Sequence, residues 1–157
     1  MSETGILGAF ESHAFLANLS RQHLFVLASG VKPFTVEKDN LLVKEGTNAN
    51  AFFLIQSGRV AIEIHRPPGR AIAIQTIGPG EIVGWSWIVP GRRWQFDGRA
   101  LDTVQGLVFD ANWLREKCEQ DHELGYHLLR QLVTVIASRL SATRLQLGTS
   151  TSSIPCP

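Results

Sequence analysis

The 157-residue sequence predicts a mainly β domain with helices at both ends. Two observations carry that prediction. Between Val31 and Phe109 apolar and polar residues alternate at period two, and the turn-forming clusters "KDN", "EGTN", "QSG", "RPPGR" and "GPG" interrupt the alternation. On either side of this stretch the apolar spacing changes to steps of three and four, the repeat of a helix with one buried face. Many short strands at such spacing build a small antiparallel sandwich or barrel.

Composition sets the bounds. A hydrophobic content of 44% is enough for one compact domain with its own core. A net charge of +1 provides no basic face of the kind that binders of nucleic-acid phosphates display. The two cysteines, Cys118 and Cys156, lie far apart and form neither a disulfide framework nor a zinc knuckle, which fits a reducing compartment. The start "MSETGILGAF" lacks the features of a signal peptide, and no apolar run approaches the length of a membrane span. The expectation is a soluble, cytoplasmic protein.

In chain order, residues 10–30 form a helical preface: Phe15, Leu16, Leu19, Leu24, Phe25 and Leu27 fall at helical intervals, and Ser20 is placed to cap a helix beginning at Arg21. Residues 31–111 hold the strands, with Val60, Ile62 and Ile64 on one face and Ala61, Glu63 and His65 on the other. Residues 112–147 return to helix. After "CEQD", one row consists of Tyr126, Leu129, Val133, Ile136, Leu140 and Leu147, with Thr143 in the gap; a second row is Leu124, Leu128, Leu132 and Val135. The second row can face the strands while the first meets another copy of the chain, or one wide face can pack wholly on the strands. Residues 148–157, "GTSTSSIPCP", read as a flexible tail, so that 1–147 form a single domain.

The segment "GPGEIVGWSWIVPGRRWQFDGRA", Gly78 to Ala100, crowds three tryptophans, three arginines, Phe96 and Asp97 between glycines that mark a turn rather than core. Elsewhere chemistry is sparse. His65 lacks the second histidine and the carboxylate of a metal site and reads as a solvated strand-end residue. Cys118 and His122 share a helix face only if the helix runs unbroken through "EQD". No nucleophile and base can be set on rigid elements, so the sequence predicts neither an enzyme nor a metal site, and no cofactor.

The residues "DNLLVKEGTNANAFFLIQSGRVAIEI" followed by "IGPGEIVGWSWI" resemble the cyclic-nucleotide-binding domain of catabolite-activator-type (Crp/Fnr-like) regulators and of the regulatory subunits of cyclic-nucleotide-dependent kinases. The Glu45–Gly46 pair, the aromatic-aliphatic run ending at Gly58 with Val60 beyond, and Gly80 with Gly84 carry the resemblance, which spans about Phe10 to Leu147. It implies an antiparallel β-roll or jelly roll (double-stranded β-helix) of about eight strands, N-terminal helices and a long C-terminal helix through which many members dimerise. The bacterial regulators carry a helix-turn-helix domain after this helix; none follows Leu147 here, so direct DNA binding is not expected.

In members that hold a nucleotide, a glutamate after the loop glycine takes the ribose and an arginine nine or ten residues on grips the cyclic phosphate. Here Trp85 follows Gly84, and Trp94 or Gln95 stands in the arginine slot, with Phe96 and Asp97 after it. Two readings of the loop result. A rewired pocket would use Gly84, Trp85, Ser86, Trp87, Arg92, Arg93, Trp94, Gln95, Asp97 and Arg99 to hold a small anionic or aromatic ligand, with the amides near Gly84 as an anion nest. Alternatively Trp85 and Trp87 fill the nucleotide's place, Trp94 caps the loop, and Asp97 pairs with Arg99 or Arg93 as a structural bridge. The corresponding functions are a sensor domain that signals through its C-terminal helix, and a ligand-free dimeric interaction module. In both, Tyr126, Leu129, Val133, Ile136 and Leu140 form the dimer seam, and an unidentified protein partner reads the helix.

Overall fold

The structure, a computed structural model, describes residues 3–66 and 69–150, with side chains for 4–66 and 69–145. Cys156 and Leu147 as a side chain therefore lie outside the described residues, as does most of the segment read as a tail. Helices α1 (Glu3–Ser12) and α2 (Arg21–Ala28) lead into eight strands: β1 (Val31–Val36), β2 (Leu41–Val43), β3 (Ala51–Ser57), β4 (Val60–Arg66), β5 (Arg70–Ile77), β6 (Ile82–Val83), β7 (Asp97–Ala100) and β8 (Val104–Asp110). Helices α3 (Ala111–Gln120) and α4 (His122–Ser150) follow. Helix α1 begins well before Phe10, and α4 passes Leu147 into the segment expected as tail.

Ser20 accepts a hydrogen bond from the His23 amide and caps α2. Asp110 does the same for α3, accepting from the Trp113 amide as the last strand ends. Asp121 separates α3 from α4, so Cys118 and His122 do not share one continuous helix.

Two four-stranded antiparallel sheets, ordered β1-β8-β3-β6 and β2-β7-β4-β5, make the predicted roll. Period-two alternation puts Phe53 and Ile55 of β3 between the sheets with Val60, Ile62, Val83 and Val104, while Phe52 and Leu54 face the helices. The second core gathers Phe10, Leu16, Leu27, Phe109, Leu114, Leu124, Leu128 and Leu132, so the α4 row read as facing the strands is buried except for Val135, which is half-buried against it. Sheet β1-β8-β3-β6 thus carries core on both faces. Gly46 and Gly58 both take φ +84°, as their turn positions demand.

Candidate functional site

The segment between β6 and β7 is not a surface turn. Trp87, Trp94, Phe96 and Asp97 are buried, and the loop inserts into both cores at once. Trp87, fully buried, and half-buried Trp85 pack on the helix side, where Trp87 lies 5.2 Å from the Phe52 ring. Trp94 and Phe96 enter the core between the sheets, their rings 5.8 Å apart. A chain that crosses from one apolar layer to the other needs aromatic side chains aimed both ways, and the spacing of Trp85, Trp87, Trp94 and Phe96 supplies them.

Gly84 makes the crossing possible. Its φ is +100°, and a Cβ there would sit 2.7 Å from the Trp94 ring. The backbone at this glycine is thus closely approached by a packed indole. Beyond it the chain makes a 3-10 turn, Ser86–Ile88, with Ser86 buried. The loop's far limb is stitched to the β2–β3 turn by backbone bonds: the Gly46 amide donates to the Trp94 carbonyl and the Trp94 amide to the Thr47 carbonyl, each at 2.9 Å.

The polar residues proposed for a ligand are spread apart. Arg93 donates to the Gly46 carbonyl at 3.0 Å, Gln95 to the Arg93 carbonyl at 3.2 Å, and Arg92 is exposed. Asp97 and Arg99 do not pair with each other or with Arg93, a correction to the sequence reading. Cross-strand neighbours win because they lie opposite in the register: Glu63 is the ladder partner of Asp97 and Ala61 that of Arg99, which brings β4 side chains into reach. Arg99 Nε donates to Glu63 at 2.8 Å and its Nη1 to the Asp39 carbonyl at 2.8 Å. Asp97 accepts from the Glu45 amide at 2.8 Å and meets His65 Nε2 at 2.6 Å. His65, read as a solvated strand end, is half-exposed but anchors this buried carboxylate. Glu63 and His65 are the ion-pair partners of Arg99 and Asp97 that the sequence reading did not assign.

It also missed Arg139. Only 8% exposed, this α4 residue puts its guanidinium 5.2 Å over the Trp85 ring and donates through Nη2 to the Ile82 carbonyl. Burial lowers its pKa to about 10, with the nearby Glu81 charge acting in the opposite direction, so it stays protonated at neutral pH. The signal was in the sequence: the buried row Leu124, Leu128, Leu132, Val135 continues by one more step of four onto Arg139. Arg139 therefore ties the loop and β6 to the long helix. By contrast the proposed seam residues Tyr126 (60%), Leu129, Val133 (61%), Ile136 and Leu140 are exposed along α4.

Other titratable groups lie outside the loop. His13 is buried; its Nδ1 accepts from the Phe15 amide and its Nε2 faces the Ile55 carbonyl, each at 3.3 Å, and burial holds its pKa below the ordinary 6.5. Cys118 is pushed up to about 11 by burial and by the charges of Glu119 and Asp121. Among the described residues no cluster of three or more potential metal ligands occurs, and no helix is long and apolar enough to cross a membrane.

Solved structures share this architecture. A cyclic nucleotide-binding domain from Methylobacillus flagellatus superposes with a TM-score of 0.80 at 19% identity, covering 95% of this chain and 84% of that one. The sensor domain of the transcriptional regulator DNR from Pseudomonas aeruginosa gives 0.72 at 18% identity, over 88% and 93%. The regulatory subunit of a cAMP-independent protein kinase A from Trypanosoma brucei gives 0.64 at 15% identity, over 76% and 48%. No curated protein matches the chain. Residues 33–121 match the sequence profile of the cyclic nucleotide-binding domain, the strands and loop described above, and the chain belongs to the cyclic nucleotide-binding domain family.

Proposed function

We propose that this is a non-enzymatic, cytoplasmic regulatory domain of the sensor type that does not bind cyclic nucleotides and acts through α4. The observation that carries this reading is the indole packing: Trp94, which shares the slot of the phosphate-gripping arginine with Gln95, is buried under Gly84, and Trp85, in the slot of the ribose-binding glutamate, is engaged by Arg139. Neither residue offers the charged hydrogen bonds that a cyclic phosphate and ribose would need. Such bonds contribute roughly 1.5–3 kcal/mol each, so losing the two anchors moves a micromolar ligand to millimolar or weaker. The output is α4, whose exposed row from Tyr126 to Leu140 pairs with a second copy of the chain or with a protein partner. Arg139 on Trp85 is the contact through which loop and helix feel one another.

Titration calorimetry with cyclic AMP and with cyclic GMP tests the reading. The expected result is no binding tighter than roughly millimolar. A low-micromolar constant for either nucleotide would overturn it.

A further inference from the structure

A cleft of about 320 Å³ opens beside the roll, between the β5–β6 turn and α4. None of the ten loop residues considered above lines it. Among its lining residues is the buried Arg139, whose guanidinium has a single hydrogen bond to protein, to the Ile82 carbonyl, and no carboxylate within ion-pair distance among the described residues. A guanidinium carries five donor hydrogens, so although its face lies over the Trp85 ring, most of its hydrogen-bonding capacity is unused by protein in a residue that lines the cleft. Charged groups this buried are ordinarily paired.

The nearest negative charge is Glu81, on the same cleft and close enough to act on Arg139 without bonding to it; its carboxylate instead accepts from the Gly78 amide at 2.6 Å. Cation and anion thus stand apart across a space instead of collapsing onto one another. Gln75, Gln131 and Ser138 add neutral polar groups to the walls, and Phe15, Ile82 and Val135 add apolar surface.

From this arrangement we propose that the cleft binds a free, apolar α-amino acid as its zwitterion. Its carboxylate takes the unengaged donors of Arg139 in a bidentate bond, and its ammonium faces Glu81. Its side chain lies on Phe15 and Val135. Glu81 also sets the selectivity: a dianion such as phosphate is repelled, and a carboxylate without the amine leaves Glu81 unanswered. A cleft of this size accommodates side chains such as those of leucine, valine, methionine or phenylalanine. Binding does not depend on the reading of α4 as the output element; only its regulatory consequence does.

The experiment is titration calorimetry on the full chain with L-leucine, L-valine, L-methionine and L-phenylalanine, with 4-methylpentanoate (leucine without its amine) and with inorganic phosphate. At least one amino acid should bind with a submillimolar constant, and 4-methylpentanoate should bind roughly 10-fold or more weakly than L-leucine, by the strength of a charge-assisted bond. Arg139→Gln should weaken binding roughly 10- to 100-fold on the same ground. Because Arg139 is buried and its replacement can unsettle the fold, Ala142→Trp, which fills the cleft from its exposed wall, is the second variant and should abolish binding. Glu81→Gln should bring L-leucine and 4-methylpentanoate to similar affinities. The proposal is overturned if none of the four amino acids binds at about 10 mM, an energy of only roughly 3 kcal/mol. It is equally overturned if phosphate or 4-methylpentanoate binds as well as the amino acids, or if Ala142→Trp leaves binding intact. Cyclic-nucleotide titrations and sedimentation of the same samples report separately on the nucleotide and dimer readings, so either can fail without the other.

Discussion

Replacing Trp94 by alanine separates a loop that is part of the core from one that waits for a ligand. The indole is 3% exposed, sits among Phe53, Val83 and Phe96 between the sheets, and lies so close to Gly84 that a Cβ there would approach its ring to 2.7 Å. Truncating a fully packed aromatic side chain costs about 3–5 kcal/mol, lost transfer energy together with the cavity left behind. For a domain of this size each kcal/mol lowers the melting temperature by about 2–4 °C, which places the expected drop at about 6–20 °C. Gly84 sharpens the test. Gly84→Ala alone meets both the +100° φ and the indole, whereas in the Trp94→Ala background the ring is gone and only the backbone cost of about 1–2 kcal/mol remains. A double-mutant cycle by thermal or urea unfolding should therefore show coupling above about 0.5 kcal/mol, with the second change less harmful in the presence of the first. Trp85→Ala, at a half-buried position, should cost less than Trp94→Ala. A Trp94→Ala protein that melts within about 2 °C of wild type, well under the shift expected for a lost core aromatic, would refute the plugged loop.

Other consequences can be checked independently. Ile136→Glu places a charge in the middle of the exposed α4 row and should convert a dimer to monomers in sedimentation while circular dichroism shows the roll intact; a wild-type monomer, or a dimer that survives, would mean the seam is misassigned. His13 has a folded pKa below 6.5, so the unfolded chain binds its proton first, and this residue's contribution to stability is full above about pH 6.5 and is lost as pH falls through that value. His13→Gln should accordingly shrink the loss of stability between pH 8 and pH 5, measured by urea unfolding at each pH; an unchanged loss would contradict the assignment. With its pKa near 11 rather than 9.0, Cys118 should react with iodoacetamide at pH 8 about 100-fold more slowly than an unperturbed thiol, in a Cys156→Ser background, and a rate equal to that of a free thiol would show that the burial is not maintained in solution.

The elements were legible in the sequence because local rules decide them. Ser20 before Arg21 and the alternation of Phe52 through Ile55 each need only neighbouring residues to be read, and the structure places both as the pattern requires. The family resemblance was legible for the same reason, since turn glycines such as Gly46 and Gly58 answer to backbone angles. The loop was harder. Its glycines indicated a turn, yet whether an indole between glycines points outward or into a core depends on which strands flank it, and the buried positions of Trp87 and Trp94 are set by sheets remote in sequence. The ion pairs failed for a similar reason. Asp97 and Arg99 share a strand face, but their partners His65 and Glu63 come from β4 across the ladder, a choice fixed by register and invisible along the chain. Arg139 is the informative omission: treating α4 as two apolar rows passed over the one charged residue on the buried row.

That residue also fixes what moving α4 requires. To leave the roll, Arg139 must give up its bond to the Ile82 carbonyl and its place over Trp85. A hydrogen bond from a charged donor contributes about 1.5–3 kcal/mol and a desolvated cation–π contact about 0.5–2 kcal/mol toward the docked helix, while burial of the guanidinium, which lowers its pKa to about 10, opposes docking. A ligand shifts such an equilibrium only by its difference in affinity for the two positions. One that uses the guanidinium donors not engaged by Ile82 adds to the docked state, whereas one that competes for the Ile82 carbonyl's donor subtracts from it. The exposed row runs along the same helix, with Ile136 and Leu140 on either side of Arg139 in sequence, so any rotation that frees the arginine also reorients that apolar row. On the proposed reading of α4 as the output element, the charge at position 139 would couple the inside of the domain to its outward face without requiring a nucleotide in the loop.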